Sequence, residues 1–130
     1  MLRHRVYEEG DWVDCEEGFV IGDLSHKRLI RTIFNPVGEI CAIIAMEYHC
    51  VISVVAFTDQ AKVAGCVRQY IRTVKSLLDT EMILCDLPQV ETLMLREGAH
   101  IKWIRLLGFV FDGPYDDRYD NYIYVRRRHV

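Results

Sequence analysis

The sequence predicts an α/β domain built on a mixed, mostly antiparallel sheet with helices on both faces. Three observations carry this. Residues 28 to 57 hold three successive runs rich in β-branched and apolar residues, parted only by short turns. After Thr58-Asp59 the apolar spacing changes from every second residue to the 3.6-residue period of a helix. Beyond Pro88, strand-like and helix-like runs alternate again. A length of 130 residues suits a single domain over 1–130 with one core.

Taken in order, residues 1–26 form an irregular or short-helical start, acidic and glycine-punctuated, in which Asp11 is placed to cap a helix over residues 12 to 17. Residues 28 to 34 read as a strand that ends at Asn35-Pro36-Val37-Gly38, a reversal signal. Residues 39 to 48 and 51 to 57 complete a three-stranded meander. Apolar side chains fall on both its faces, as in a sheet covered on each side. Thr58-Asp59 offers a helix cap. Val63, Val67, Tyr70, Ile71, Val74, Leu77 and Leu78 then share one stripe, with Lys62, Arg68, Arg72 and Lys75 largely opposite. Residues 82 to 85 either extend this helix or form a separate piece. A strand over 90–95, a helix over 98–107 stopped at Gly108, and a closing strand pair at 109–111 and 119–125 follow. The order is β-β-β-α-β-α-β-β.

Composition removes whole classes. With 51% hydrophobic and 27% charged residues the chain is too apolar for a disordered one. Glu47, His49 and Asp59 interrupt the longest apolar run, so no membrane partner is expected. The start lacks the apolar stretch of a signal peptide. Five cysteines, an odd number with no CxxC spacing, point to a reduced, cytoplasmic setting. Sixteen basic against nineteen acidic side chains, net −3, argue against a nucleic-acid binder. Cys41, His49 and Cys50 lack a zinc spacing and a fourth ligand, so no metal is expected.

Two passages resemble the GNAT-type N-acetyltransferases. The first is Gln60-Ala61-Lys62-Val63-Ala64-Gly65. Family members carry Q/R-x-x-G-x-G/A between a strand and the long helix, where backbone amides at a helix start hold the coenzyme A diphosphate. The first and last positions match; the middle glycine is Val63. The second passage, residues 96 to 109, resembles the family's strand-to-helix segment ending in Leu107-Gly108-Phe109. Glu97 stands at the family's asparagine and Ile104 at the tyrosine that can protonate the leaving thiolate. The segment from His100 to Ile104, with Gly108 and Phe111, is also similar to small GNAT-like proteins of short-tailed bacteriophages, of internal virion type. That likeness spans residues 38 to 125 at best.

The resemblance implies acetyl-CoA as co-substrate, bound along Phe57, Gln60, Ala61, Lys62, Val63, Ala64, Gly65 and Cys66. Three side chains are candidates for the proton transfer. His100, at the second helix start, suits a general base near neutral pH, or plainly caps the helix. Glu47 and Glu91 sit on strands, and each either takes a proton from an amine or lines a polar face. Tyr115 and Tyr119 are further proton-donor candidates. The implied activity is acyl-CoA-dependent N-acetylation of an amine, a small molecule or a protein, in a phage-encoded chain if the second likeness holds. The alternative is a GNAT-like scaffold without chemistry that binds a phage or host protein. The altered residues Val63 and Ile104 favour that alternative.

Overall fold

A computed structural model describes residues 1–11, 27–47, 52–57, 60–98 and 100–126, with residues 27, 28, 52–57 and 60 described by backbone alone. Among the described residues, seven strands and three helices run in the order β1 (His4–Val6), β2 (Lys27–Phe34), β3 (Ile40–Glu47), β4 (Ile52–Phe57), α1 (Gln60–Ala64), α2 (Val67–Leu84), β5 (Gln89–Leu95), α3 (Ile101–Leu106), β6 (Val110–Pro114) and β7 (Tyr119–Val125). The meander and the closing hairpin stand where the sequence places them; the helix expected after Thr58-Asp59, a cap that falls outside the described residues, is instead broken at Gly65-Cys66 into α1 and α2. Residues 82 to 84 extend α2.

The strands form two antiparallel sheets, β1-β2-β3-β4 and β5-β7-β6. In the first, Ala42 faces Phe57 and Met46 faces Ile52. In the second, Glu91 faces Ile123 and Leu95 faces Tyr119. The expected single sheet is thus divided. β4 and β5 lie side by side, yet no ladder joins them among the described residues. The connection between them is α2, 18 residues with about 27 Å of rise.

One core holds the halves together. Tyr70, Val74, Leu78 and Met82 of α2 and Trp103, Ile104 and Leu107 around α3 bury against Ala42, Ile44 and Met46 of β3 and Val90, Tyr122 and Tyr124 of the second sheet. Both helices therefore cover the same face. The opposite face of β3 is closed as well, since Ile43 and Ala45 are fully buried. Asp79 on α2 accepts a hydrogen bond from the Tyr124 hydroxyl at 2.9 Å, a buried tie between helix and second sheet.

The N-terminus departs from the expectation. Residues 12 to 17 lie outside the described ones, and the Asp11 carboxylate is engaged elsewhere. It accepts from Arg5 at 2.8 and 2.9 Å, from the Thr32 hydroxyl at 2.6 Å and from the Glu8 amide at 3.0 Å. A two-pronged guanidinium and a buried hydroxyl hold Asp11, and they fasten the unanticipated strand β1 beside β2; the expected cap over residues 12 to 17 falls outside the described residues. Those donors hold the Asp11 carboxyl at about 2 against the cost of its burial.

Candidate functional site

The region of interest is the seam between β4 and β5, at the end where β4 stops. Residues 60 to 64 form the single-turn helix α1; Gly65 and Cys66 turn the chain into α2. Val63 is apolar and fully buried, so it pins this segment into the core. The Asn35 side chain donates to the Lys62 carbonyl at 3.3 Å, and its Oδ1 accepts from the amides of Val37 and Glu39. The Asn-Pro-Val-Gly turn thereby braces α1. Between turn and helix runs an open groove of about 500 Å³, lined by Pro36, Glu39, Ala61, Lys62, Gly65 and Cys66 among others.

The amides there divide into two sets. The Cys66 N–H bonds the Val63 carbonyl at 2.9 Å. The first intrahelical bond of α2 runs from the Tyr70 amide to the Cys66 carbonyl at 2.8 Å, so the amides of Val67, Arg68 and Gln69 precede the helical ladder and project from the positive end of the helix dipole. The amide cradle expected at residues 61 to 66 ends just before these three. The signal for them was present: Gly65-Cys66 breaks the helical run. A Cβ placed on Gly65 meets nothing within 4 Å, so this position opens outward.

The start of α3 lies at the same end. Trp103 meets Tyr70 edge-on, with ring centroids 5.8 Å apart, which sets the first turn of α3 against the first turn of α2. His100 takes the N-cap position with helical dihedrals, half-buried and with no side-chain capping bond. Ile104, at the family's tyrosine position, is buried in the core.

The other two candidate bases lie further along the strands. β3 runs opposite to β4, so Glu47 is five residues from Ala42 and about 17 Å away from the Phe57 end. Glu91 is the third residue of β5, four residues or about 14 Å before Leu95. It points away from the buried Val90 and Thr92, and lines a second groove of about 310 Å³ with Leu93, Asp112, Pro114, Tyr115 and Asn121. The Trp103–Tyr70 contact thus brings the first turns of α3 and α2 together, while Glu47 and Glu91 lie further along their strands. Tyr115 is exposed at the β6–β7 turn and Tyr119 is half-buried. Side chains of Phe57 and Gln60, and residues His49 and Cys50, lie outside the described set.

Thiol chemistry finds no support at this end. Burial pushes the Cys41 thiol up to about 12 and raises that of Cys66, so both stay protonated near neutral pH. Among the described residues no group of three or more His, Cys, Asp or Glu is placed to hold a metal ion. No described helix is long and apolar enough to cross a membrane.

No protein-family model and no curated protein sequence matches the chain. Solved structures do. A nourseothricin acetyltransferase superposes with a TM-score of 0.65 at 11% identity, over 96% of this chain and 98% of that one. A spermidine N-acetyltransferase from Vibrio cholerae, in complex with CoA and spermine, gives 0.64 at 15% identity, over 96% and 95%. The ribosomal-protein-S5-alanine acetyltransferase from Vibrio fischeri gives 0.54 at 12% over 75% and 61%. The fold is the GNAT acetyltransferase fold.

Proposed function

We propose that the chain is an acyl-CoA-dependent N-acetyltransferase, with the coenzyme's diphosphate at the start of α2 and the acyl arm along the β4–β5 seam. One observation carries this reading: among the described residues two strands lie side by side without a ladder, and at one end of their seam a long helix begins with amides that precede its hydrogen-bond ladder. Those amides and the Lys62 ammonium suit a diphosphate, and the outward-facing Gly65 leaves room for it. Main-chain donors on β4 are available to polarise the thioester carbonyl.

In the reaction the amine nitrogen attacks that carbonyl; the C–N bond forms, the C–S bond breaks, and the amine proton passes to a base. His100, Glu91 and Glu47 are the candidate bases, His100 at the start of α3 and the two glutamates further along β5 and β3. Ile104 has no proton to give, so the leaving thiolate takes one from water. Replacement of the responsible base by its neutral isostere, His100→Asn or Glu91→Gln, abolishes the acidic limb of the kcat/KM profile.

Isothermal titration with acetyl-CoA and with CoA tests the reading. Binding in the micromolar range, weakened at least about tenfold by Gly65→Trp in a protein that still folds, supports it. Absence of heat with folded wild-type protein overturns it. That outcome supports the second reading, a non-catalytic scaffold of the phage virion or host-interaction type. Its specific support is that the expected amide cradle is closed into helix α1 over a buried Val63, and the proton donor's place is filled by a buried Ile104.

A further inference from the structure

The outer surface of the helical layer is predominantly basic. α2 and α3 carry Arg68, Arg72, Lys75, Lys102 and Arg105, of which only Lys75 is half-buried rather than exposed. None of the five forms an ion pair with a described residue, and the Lys102 ammonium lies over the Trp103 ring at 5.7 Å. The two helices form one continuous patch: Tyr70 meets Trp103, and the Lys75 stem lies beside Gly108 at the end of α3. The two carboxylates of α2 offset it only in part, two against five. Asp79 is buried against the Tyr124 hydroxyl, and Glu81 accepts from the Cys85 thiol.

The charge of opposite sign is collected elsewhere, on the β6–β7 hairpin. Asp112, Asp116 and Asp117 are exposed there around Tyr115, itself 65% exposed. Asp120 is taken up by Arg96 at 3.1 Å, and Arg118 lies over the Tyr119 ring at 6.0 Å. Arg118 and Tyr119 amides donate to the Asp116 carboxylate at 2.8 Å and hold the tip in one shape. An exposed tyrosine ringed by carboxylates is the complement of an arginine-rich helical face, in ring stacking as in charge.

We propose that this chain self-associates head to tail, the β6–β7 hairpin of one copy seating on the α2–α3 face of the next. A second copy is the occupant that the charges select, because one molecule carries both halves of the contact. Such a heterologous contact closes into a ring or propagates. Being made of exposed charges, it weakens steeply with salt.

Sedimentation velocity on the full chain tests this. Wild type associates at about 50 mM salt and dissociates toward monomer by about 500 mM, where the screening length falls to a few ångströms. Asp112→Lys with Asp117→Lys, and separately Arg72→Glu with Arg105→Glu, give monomers at low salt; all four residues are exposed, so circular dichroism is unchanged. Mixing the two variants restores association, since each now complements the other. A wild-type monomer at every salt and concentration overturns the proposal, as does association that survives either reversal. A wild-type monomer whose helical face instead captures a polyanion such as heparin overturns it in favour of a nucleic-acid or other polyanionic partner.

Discussion

The two sheets differ in how they meet water. In the first, the central strand β3 buries every residue from Cys41 to Met46, so both of its faces are interior. In the second, only one face is interior. Val90, Thr92, Tyr122 and Tyr124 point to the helices, while Leu95, Val110 and Val125 are about half exposed on the other side. The first sheet is therefore the part whose apolar contacts resist unfolding. The second presents surface, and the hairpin that extends from it carries the exposed tyrosine and aspartates. The difference teaches where change is tolerated: the first sheet holds shape, the second is free to vary.

Truncation of a β3 core residue breaks this comparison most sharply. Ile44→Ala removes a side chain that is 1% exposed and costs about 2–5 kcal/mol in chemical denaturation, whereas Leu95→Ala, at 44% exposure, stays within about 0.5 kcal/mol. Equal effects would erase the distinction. Next in size is the Asp11 clasp on the first sheet. Its carboxyl titrates at about 2, below the unfolded value near 3.8, so its stabilisation of about 2 kcal/mol is present above pH 4 and is lost as the pH falls toward 2. Asp11→Asn lowers stability at pH 7 and flattens that acid limb, as a denaturation series against pH reads out. Tyr124→Phe follows. It leaves the buried Asp79 carboxylate without the hydroxyl at 2.9 Å and costs about 1–2 kcal/mol in the same assay. Smallest is Arg96→Met. The guanidinium bonds Asp120 and the carbonyls of Asp116 and Asp117, but in the open, so global stability changes by less than about 1 kcal/mol. Amide exchange across residues 115–119 accelerates instead, which locates the effect in the hairpin.

Much of the fold is legible in the residues. β-branched runs broken at Asn35-Pro36-Val37-Gly38 require a meander, and the stripe from Val63 to Leu78 requires the long helix under it. Gly108 takes φ +99°, as a helix stop does. Strand β1 was not legible, because three residues of no marked pattern become a strand only through Arg5, Asp11 and Thr32, partners up to 27 residues apart. Nor was the division of the sheet, which is a matter of which strands pair and not of which residues form strands. At the candidate site, the helix-start location follows from the motif at residues 60 to 65. The closed state of α1 does not, since Val63 reads equally as a lost glycine or as a core anchor until its burial is seen. The placement of Glu47 and Glu91 further along their strands depends on antiparallel register, which local spacing does not carry.

The central claim is that an acyl-CoA occupies the β4–β5 seam from the start of α2. Hydrogen exchange with and without CoA tests it most directly. The account predicts slowed exchange confined to β4, residues 60 to 70 and the start of α3, with the outer face of the second sheet unchanged. Protection that leaves residues 60 to 70 unaffected, or that falls on the β6–β7 hairpin instead, contradicts it.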